Sequence, residues 1–153
     1  MIKAFFVIAI MLLGYGAIEH HETKKLIDIS NRHIDDDDHI RYFWAIDDTK
    51  NLGELHARTE QALWYFASAK SAFGTLTLYT PTARTIRDEY LQGLEKLHNN
   101  LNAISQAKAQ NNQNQLASLQ RQVRQSEQIL LNARERLANL SSRHLLGERF
   151  KMG

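Results

Sequence analysis

Seven histidines are the side chains best equipped for chemistry in this sequence, and two groups of them stand beside carboxylates. One group is Glu19-His20-His21-Glu22, and the other is His33-Ile34-Asp35-Asp36-Asp37-Asp38-His39. Imidazole nitrogen and carboxylate oxygen together can hold a divalent metal, so His20, His21, His33 and His39 are the candidate ligands. Their spacing matches no known site. No H-x-x-x-H or H-E-x-x-H occurs, and the Asp run lacks the glycine turn and distal Glu of a calcium loop. Adjacent residues of a helix point about 100° apart, so the four aspartates cannot all face one ion. The simpler expectation is a helix beginning near Asp36, with the acids capping its free N–H groups and Ile40, Phe43 and Trp44 along one face. No metal and no cofactor is expected.

The remaining chemistry is thinner. His56 and His98 fall on expected helices, but Glu95-Lys96-Leu97-His98 is a single Glu-x-x-His where a di-iron pair needs two. The absence of Cys excludes disulfide scaffolds, thiol catalysis and cysteine-ligated zinc or iron–sulfur centres. No G-x-S-x-G, P-loop or dinucleotide glycine pattern is present. No catalytic residue is therefore assigned, and the chain is expected not to be an enzyme. Arg121 to Lys151 carries seven basic and three acidic residues, but no aromatic stacking platform accompanies them, so nucleic acid is not an expected partner. Asn139-Leu140-Ser141 fits a glycosylation pattern yet falls inside an expected helix.

The elements that must position these residues begin with an apolar run. Ala4 to Ile18, AFFVIAIMLLGYGAI, holds fifteen uncharged residues directly after Lys3. A surface helix would show polar residues every three or four positions, and none occur. Three explanations compete: an uncleaved membrane anchor, a signal peptide cut after Gly16 or Ala17, or a helix inside a soluble core. Ile2 to Ile18 meets the lower limit of about 17 residues for a span if Lys3 extends its stem to the interface. The anchor is the preferred expectation, with membrane lipid as the partner of Ala4–Ile18. The two-residue lead before Lys3 favours a cytoplasmic N-terminus, which places the bulk of the chain outside the cytoplasm, at the inner membrane. The alternative is a periplasmic or secreted module released by cleavage.

Beyond the anchor, residues 19 to 60 carry eleven acids against six bases, and residues from 61 onward carry twelve bases against six acids. Such halves can fold against one another or offer opposite faces to partners. Residues 19–50 read as an acidic juxtamembrane segment with a short helix, and 51–153 as a helical bundle or hairpin. Asn51 to Phe73 carries Leu52, Leu55, Thr59, Ala62, Phe66, Ala69 and Phe73 in steps of 3 and 4, with Gly74 placed to stop the helix. Thr75 to Thr80 alternates, but with no partner strand it reads as an extended connector. Thr80 at the N-cap and Pro81, the only proline, open the next helix, whose stripe is Ile86, Tyr90, Leu94, Leu97, Leu101 and Ile104.

That stripe lapses in Ser105 to Gln115 and returns out of register as Leu116, Leu119, Val123, Leu130, Ala133, Leu137 and Leu140, with Ser126 and His144 as polar exceptions. Loss of stripe and register together predicts a turn at Asn111-Asn112, within 110–115, rather than one continuous helix. Pairing about that turn sets Leu101 opposite position 123 and Leu94 opposite position 130. Eight Gln and three Asn between Ser105 and Gln128 suit a solvated coiled coil or a polar hairpin tip. Phe43, Trp44, Trp64, Tyr65, Phe66 and Phe73 are expected in the core. The expected fold is all-α: an N-terminal membrane-spanning (or signal) helix, then a small bundle or long antiparallel hairpin with coiled-coil character. Its layout alone is similar to that of inner-membrane spanins and small division or secretion scaffolds. The expected role is that of an accessory subunit that meets other proteins, or itself, through helical stripes. The alternative is a helical module binding a metal or small ligand.

Overall fold

The computed structural model describes residues 2–34 and 52–146, with side chains except at 2–10, 52–56, 113, 116, 117 and 120. Four helices make up the described chain: α1 (Ile2–His33), α2 (Leu52–Gly74), α3 (Pro81–Ala109) and α4 (Gln113–Arg143). No strand occurs among the described residues. The expected helix over Asp36–Trp44 lies outside them.

α3 is the central element, flanked by α2 and α4, and α1 lies across all three. α2 and α4 each run antiparallel to α3. Phe73 of α2 stacks on Tyr90 of α3, with ring centroids 4.5 Å apart, and Lys70 pairs with Glu95. Glu89 of α3 pairs with Arg136 of α4 at 2.9 Å, and Asn100 donates to Ser126 Oγ at 3.1 Å. α1 runs parallel to α3: Glu22 meets Thr80, and eight residues on Ser30 meets Tyr90. The core is accordingly of two kinds. A four-helix layer gathers Leu26, Ile27, Phe73, Ile86, Tyr90, Leu94 and Leu137. A three-helix layer nearer the hairpin gathers Ala62, Leu97, Leu101, Ile104, Leu119 and Val123.

The chain reverses at Gln110–Asn112 by local backbone chemistry. Asn111 adopts φ 55°, a left-handed conformation that Asn tolerates better than most residues. Asn112 N–H then donates to Ala107 C=O at 2.9 Å and Asn111 N–H to Lys108 C=O at 3.0 Å, satisfying the last carbonyls of α3. The same Asn112 opens α4, its side chain accepting from Gln115 N–H at 3.2 Å. Asn111→Val, a β-branched residue forced to positive φ, is expected to cost about 1–2 kcal/mol. Asn111→Gly should cost little. Urea unfolding of the two variants beside the parent checks this.

α3 and α4 approach closely at Gly93. A Cβ there would lie 2.6 Å from Leu130 Cδ2 and 2.7 Å from Leu130 Cγ. Glycine is thus required by proximity, against a helix-propensity cost of roughly 1 kcal/mol relative to alanine. Gly93→Ala is expected to lose about 1–2 kcal/mol net through overpacking. In a double-mutant cycle, Leu130→Ala should make the combined loss smaller than the sum of the single losses.

Several expectations change on contact with the fold. α1 passes Ile18, where the apolar run ends, without a break in the helix and continues to His33. Among the described residues no helix is long and apolar enough to cross a membrane. The described apolar side chains of that run are those from Met11 to Ile18, and the side chains of 4–10 lie outside the description. Trp64 is 66% exposed, not core. The face of α2 turned inward carries Thr59, Ala62, Ala69 and Phe73, and position 64 falls about 200° from position 62. Tyr65 and Phe66 are half-buried, Phe73 is buried, and Phe43 and Trp44 lie outside the described residues. Gly74 does end α2, but without positive φ.

Candidate functional site

The most unusual region is the passage of α1 from an isolated helix into the bundle. From Met11 to Ile18 every residue except the half-buried Gly16 is exposed. Eight consecutive residues turn through more than two helical turns, so all faces of the helix are uncovered there. Its side chains are nevertheless apolar: Met11, Leu12 and Leu13 are consecutive and exposed, Leu13 at 75%. A Cβ on Gly14 or Gly16 would meet nothing within 4 Å. Isolated exposed apolar residues are ordinary on a protein surface, but a contiguous apolar cylinder is not.

The helix then becomes amphipathic within one turn. Glu22, Thr23, Leu26, Ile27 and Ser30 are buried, in steps of 1 and 3 that define one face. Glu22, at 2% exposure, is a buried carboxylate with three donors. It accepts from the Tyr79 N–H, from the Thr80 N–H at 3.0 Å and from the Thr80 hydroxyl at 2.5 Å. Burial alone would push its carboxyl up. The Thr80 hydroxyl, the two backbone N–H groups and the nearby Lys25 outweigh that and hold it below the ordinary value of 4.5. The geometry also explains why Thr80, although at the N-cap of α3, makes no side-chain cap bond of its own. Its hydroxyl donates to Glu22, and the carboxylate of another helix supplies the negative charge that the start of α3 favours.

One turn before Glu22, Glu19 Oε2 lies 3.3 Å from His144 Nε2 at the end of α4, and the His20 ring meets the His144 ring edge-on at 5.7 Å. Positions 19–22 of α1, the start of α3 and the end of α4 are therefore held at one level. α4 ends by the same device as α3. Leu145 has φ 56°, Leu146 N–H donates to Ser141 C=O at 2.9 Å, and Leu146 is buried. His144, read from sequence as a polar exception in an apolar stripe, is the contact of α4 with α1. Ser126, the other exception, links the hairpin arms through Asn100 and donates to Gln122 C=O at 2.9 Å.

The candidate metal ligands among the described residues are not gathered. His20 and His21 are exposed on α1, His33 stands at its far end, and His39 lies outside the described residues. Among the described residues no group of three or more His, Cys, Asp or Glu could hold a metal ion. His98 lines an open cleft of about 330 Å³ with Ala67, Lys70 and Ser71, and its Glu95 is engaged by Lys70. A second cleft of about 330 Å³ lies between the start of α3 and the end of α4, lined by Thr82, Thr85, Arg136, Asn139 and Arg143 over Ile86 and Leu140. Of the sequon, Asn139 is exposed but Ser141 is fully buried within α4. Sequence reasoning missed Glu22, Thr80 as its partner, and Leu145. The available signal for Glu22 was an acid in step with Leu26 and Ser30. No family model matches the chain, and neither a curated protein nor a solved structure does.

Proposed function

We propose that this chain is a membrane-tethered helical bundle acting by protein–protein contact, as an accessory or assembly subunit of a membrane-associated complex. The observation that carries the reading is the apolar stretch of α1 from Met11 to Ile18, uncovered on every face although the same helix is docked from Glu19 onward. Burial of such a cylinder in hydrocarbon removes from water what the bundle leaves in it. The parallel course of α1 and α3 aims the apolar part away from the hairpin. Ile2 to Ile18 extends about 25 Å at 1.5 Å per residue, a few Å short of a hydrocarbon core of about 30 Å, a mismatch that local thinning of the bilayer absorbs. The tether thus emerges from one end of the bundle, and the Gln- and Asn-rich hairpin stands at the other.

The exposed Trp64, edge-on to Tyr65 with centroids 5.2 Å apart, supports a protein partner, because Trp and Tyr are over-represented among residues that carry binding energy at interfaces. The bundle lies on the extracytoplasmic side, the N-terminus in the cytoplasm, and the chain carries out no catalysis. Fractionation tests the tether. The full-length chain is expected to stay with membranes through an alkaline carbonate wash that strips peripheral proteins. Release into the supernatant contradicts the reading.

A further inference from the structure

We propose that the end of the bundle from which α1 departs is itself a membrane-contacting face, seated on the headgroup layer of an anionic bilayer. The proposal rests on the tethering role of α1 and adds where the bundle sits: against the lipid rather than held off from it. Three observations carry it.

The first is level. Glu22 binds the Tyr79 and Thr80 backbone and Glu19 meets His144, so Tyr79 and Leu145 stand beside the point where the apolar run ends at Ile18. If Ile18 is at the edge of the hydrocarbon, both residues are within reach of the interfacial layer, which admits apolar groups to a depth of about 5–10 Å. The second is chemistry. Tyr79 is 73% exposed and Leu145 93% exposed. A tyrosine ring, apolar in its body and polar at its tip, suits the headgroup level. Leu145 holds a left-handed backbone that an L side chain adopts only at a cost, and that backbone presents the leucine outward while Leu146 is buried. The third is charge. Lys25, Arg84 and Arg143 are exposed near this level, whereas Glu19 and Glu22 turn inward to His144 and Thr80. The described face therefore offers cations and apolar groups with its acids withdrawn, the complement of an anionic headgroup layer.

The chain has no cysteine, so single nitroxide labels report cleanly. Leu145→Cys and, near the hairpin, Gln106→Cys are labelled in the full-length chain. Each is reconstituted in phosphatidylcholine vesicles with and without about one third phosphatidylglycerol. In the anionic vesicles, collision of the label at 145 with a water-soluble paramagnetic reagent is expected to fall about fivefold below that at 106, as for a group in the headgroup boundary. The protection should weaken in pure phosphatidylcholine. Vesicles that carry the chain but leave 145 as accessible as 106 overturn this proposal while leaving the tether standing. Equal protection in both lipids overturns the anionic assignment. Protection that grows with protein density, with spin–spin broadening, gives the face to a second copy instead. A chain that does not float with the vesicles overturns the tether and this proposal together.

Discussion

Glu22→Ala should lower the stability of the bundle by about 3 kcal/mol. Hydrogen bonds to a charged group contribute roughly 1.5–3 kcal/mol each, and three donors converge on this carboxylate, but water partly replaces it once the side chain is gone. The loss has two structural consequences. The Thr80 hydroxyl and N–H, both in a residue buried beside α1, are left without their acceptor, and α3 loses the negative charge at its start. Thr80→Val removes one of the three bonds and should cost about 1 kcal/mol. Glu22→Gln keeps an acceptor oxygen but turns an amide NH2 toward donors, so it should fall between the two. Chemical unfolding of the three variants at neutral pH orders them.

The same carboxylate predicts a pH dependence. Its folded pKa is lowered from 4.5, so its contribution is fully present above 4.5 and is lost as pH falls from there through the folded value. Burial pushes the Glu127 carboxyl the other way, above 4.5, against the pull of Arg124. Its ionised form therefore opposes folding at neutral pH, and that penalty is relieved as pH falls through its raised value toward 4.5. Glu22→Gln should flatten the acid limb of the stability curve below pH 4.5. Glu127→Gln should raise the melting temperature at neutral pH and leave it nearly unchanged in acid.

The second large effect concerns the tether. Ile8→Arg places a charge near the middle of the dense apolar core Ala4–Leu13, at a cost of roughly 2.5–3.5 kcal/mol on insertion scales. For a run only just long enough to span, that cost should shift the chain from the membrane pellet to the soluble fraction or to degradation. Arg at the same position should leave the unfolding of the docked part untouched, because the contacts of α1 with the bundle begin at Glu19, eleven residues further on. Fractionation and unfolding of one variant thus separate the two halves of α1. Unchanged fractionation would mean that this segment does not tether the protein to a membrane.

The hairpin was legible because its signals are local. Asn111 and Asn112 are residues that tolerate positive φ and cap helices, and they stand where the apolar stripe lapses and shifts register. Thr80-Pro81 marked the start of α3 for the same reason. The pairing of Leu94 with position 130 has its physical counterpart in the clash a Cβ on Gly93 would make with Leu130. What could not be read was tertiary. Glu22 counted in sequence as one more acid of an acidic segment, and only the approach of Tyr79 and Thr80, more than fifty residues away, makes it a buried cap. Thr80 stands at the N-cap as the sequence indicates, but this same approach turns its hydroxyl to Glu22. Trp64 was grouped with core aromatics by type, although the step of α2 turns it outward. His144 stands in the sequence as a polar exception in an apolar stripe, and only the approach of α1 makes it a contact between helices.

The most direct test of the tether is the mass of the chain recovered from carbonate-washed membranes. A membrane-bound chain that retains Ala4–Ile18 is the predicted result, because the proposed tether is that segment. A chain shortened to begin after Gly16 or Ala17, and found outside the membrane, would contradict it and make the bundle a released module.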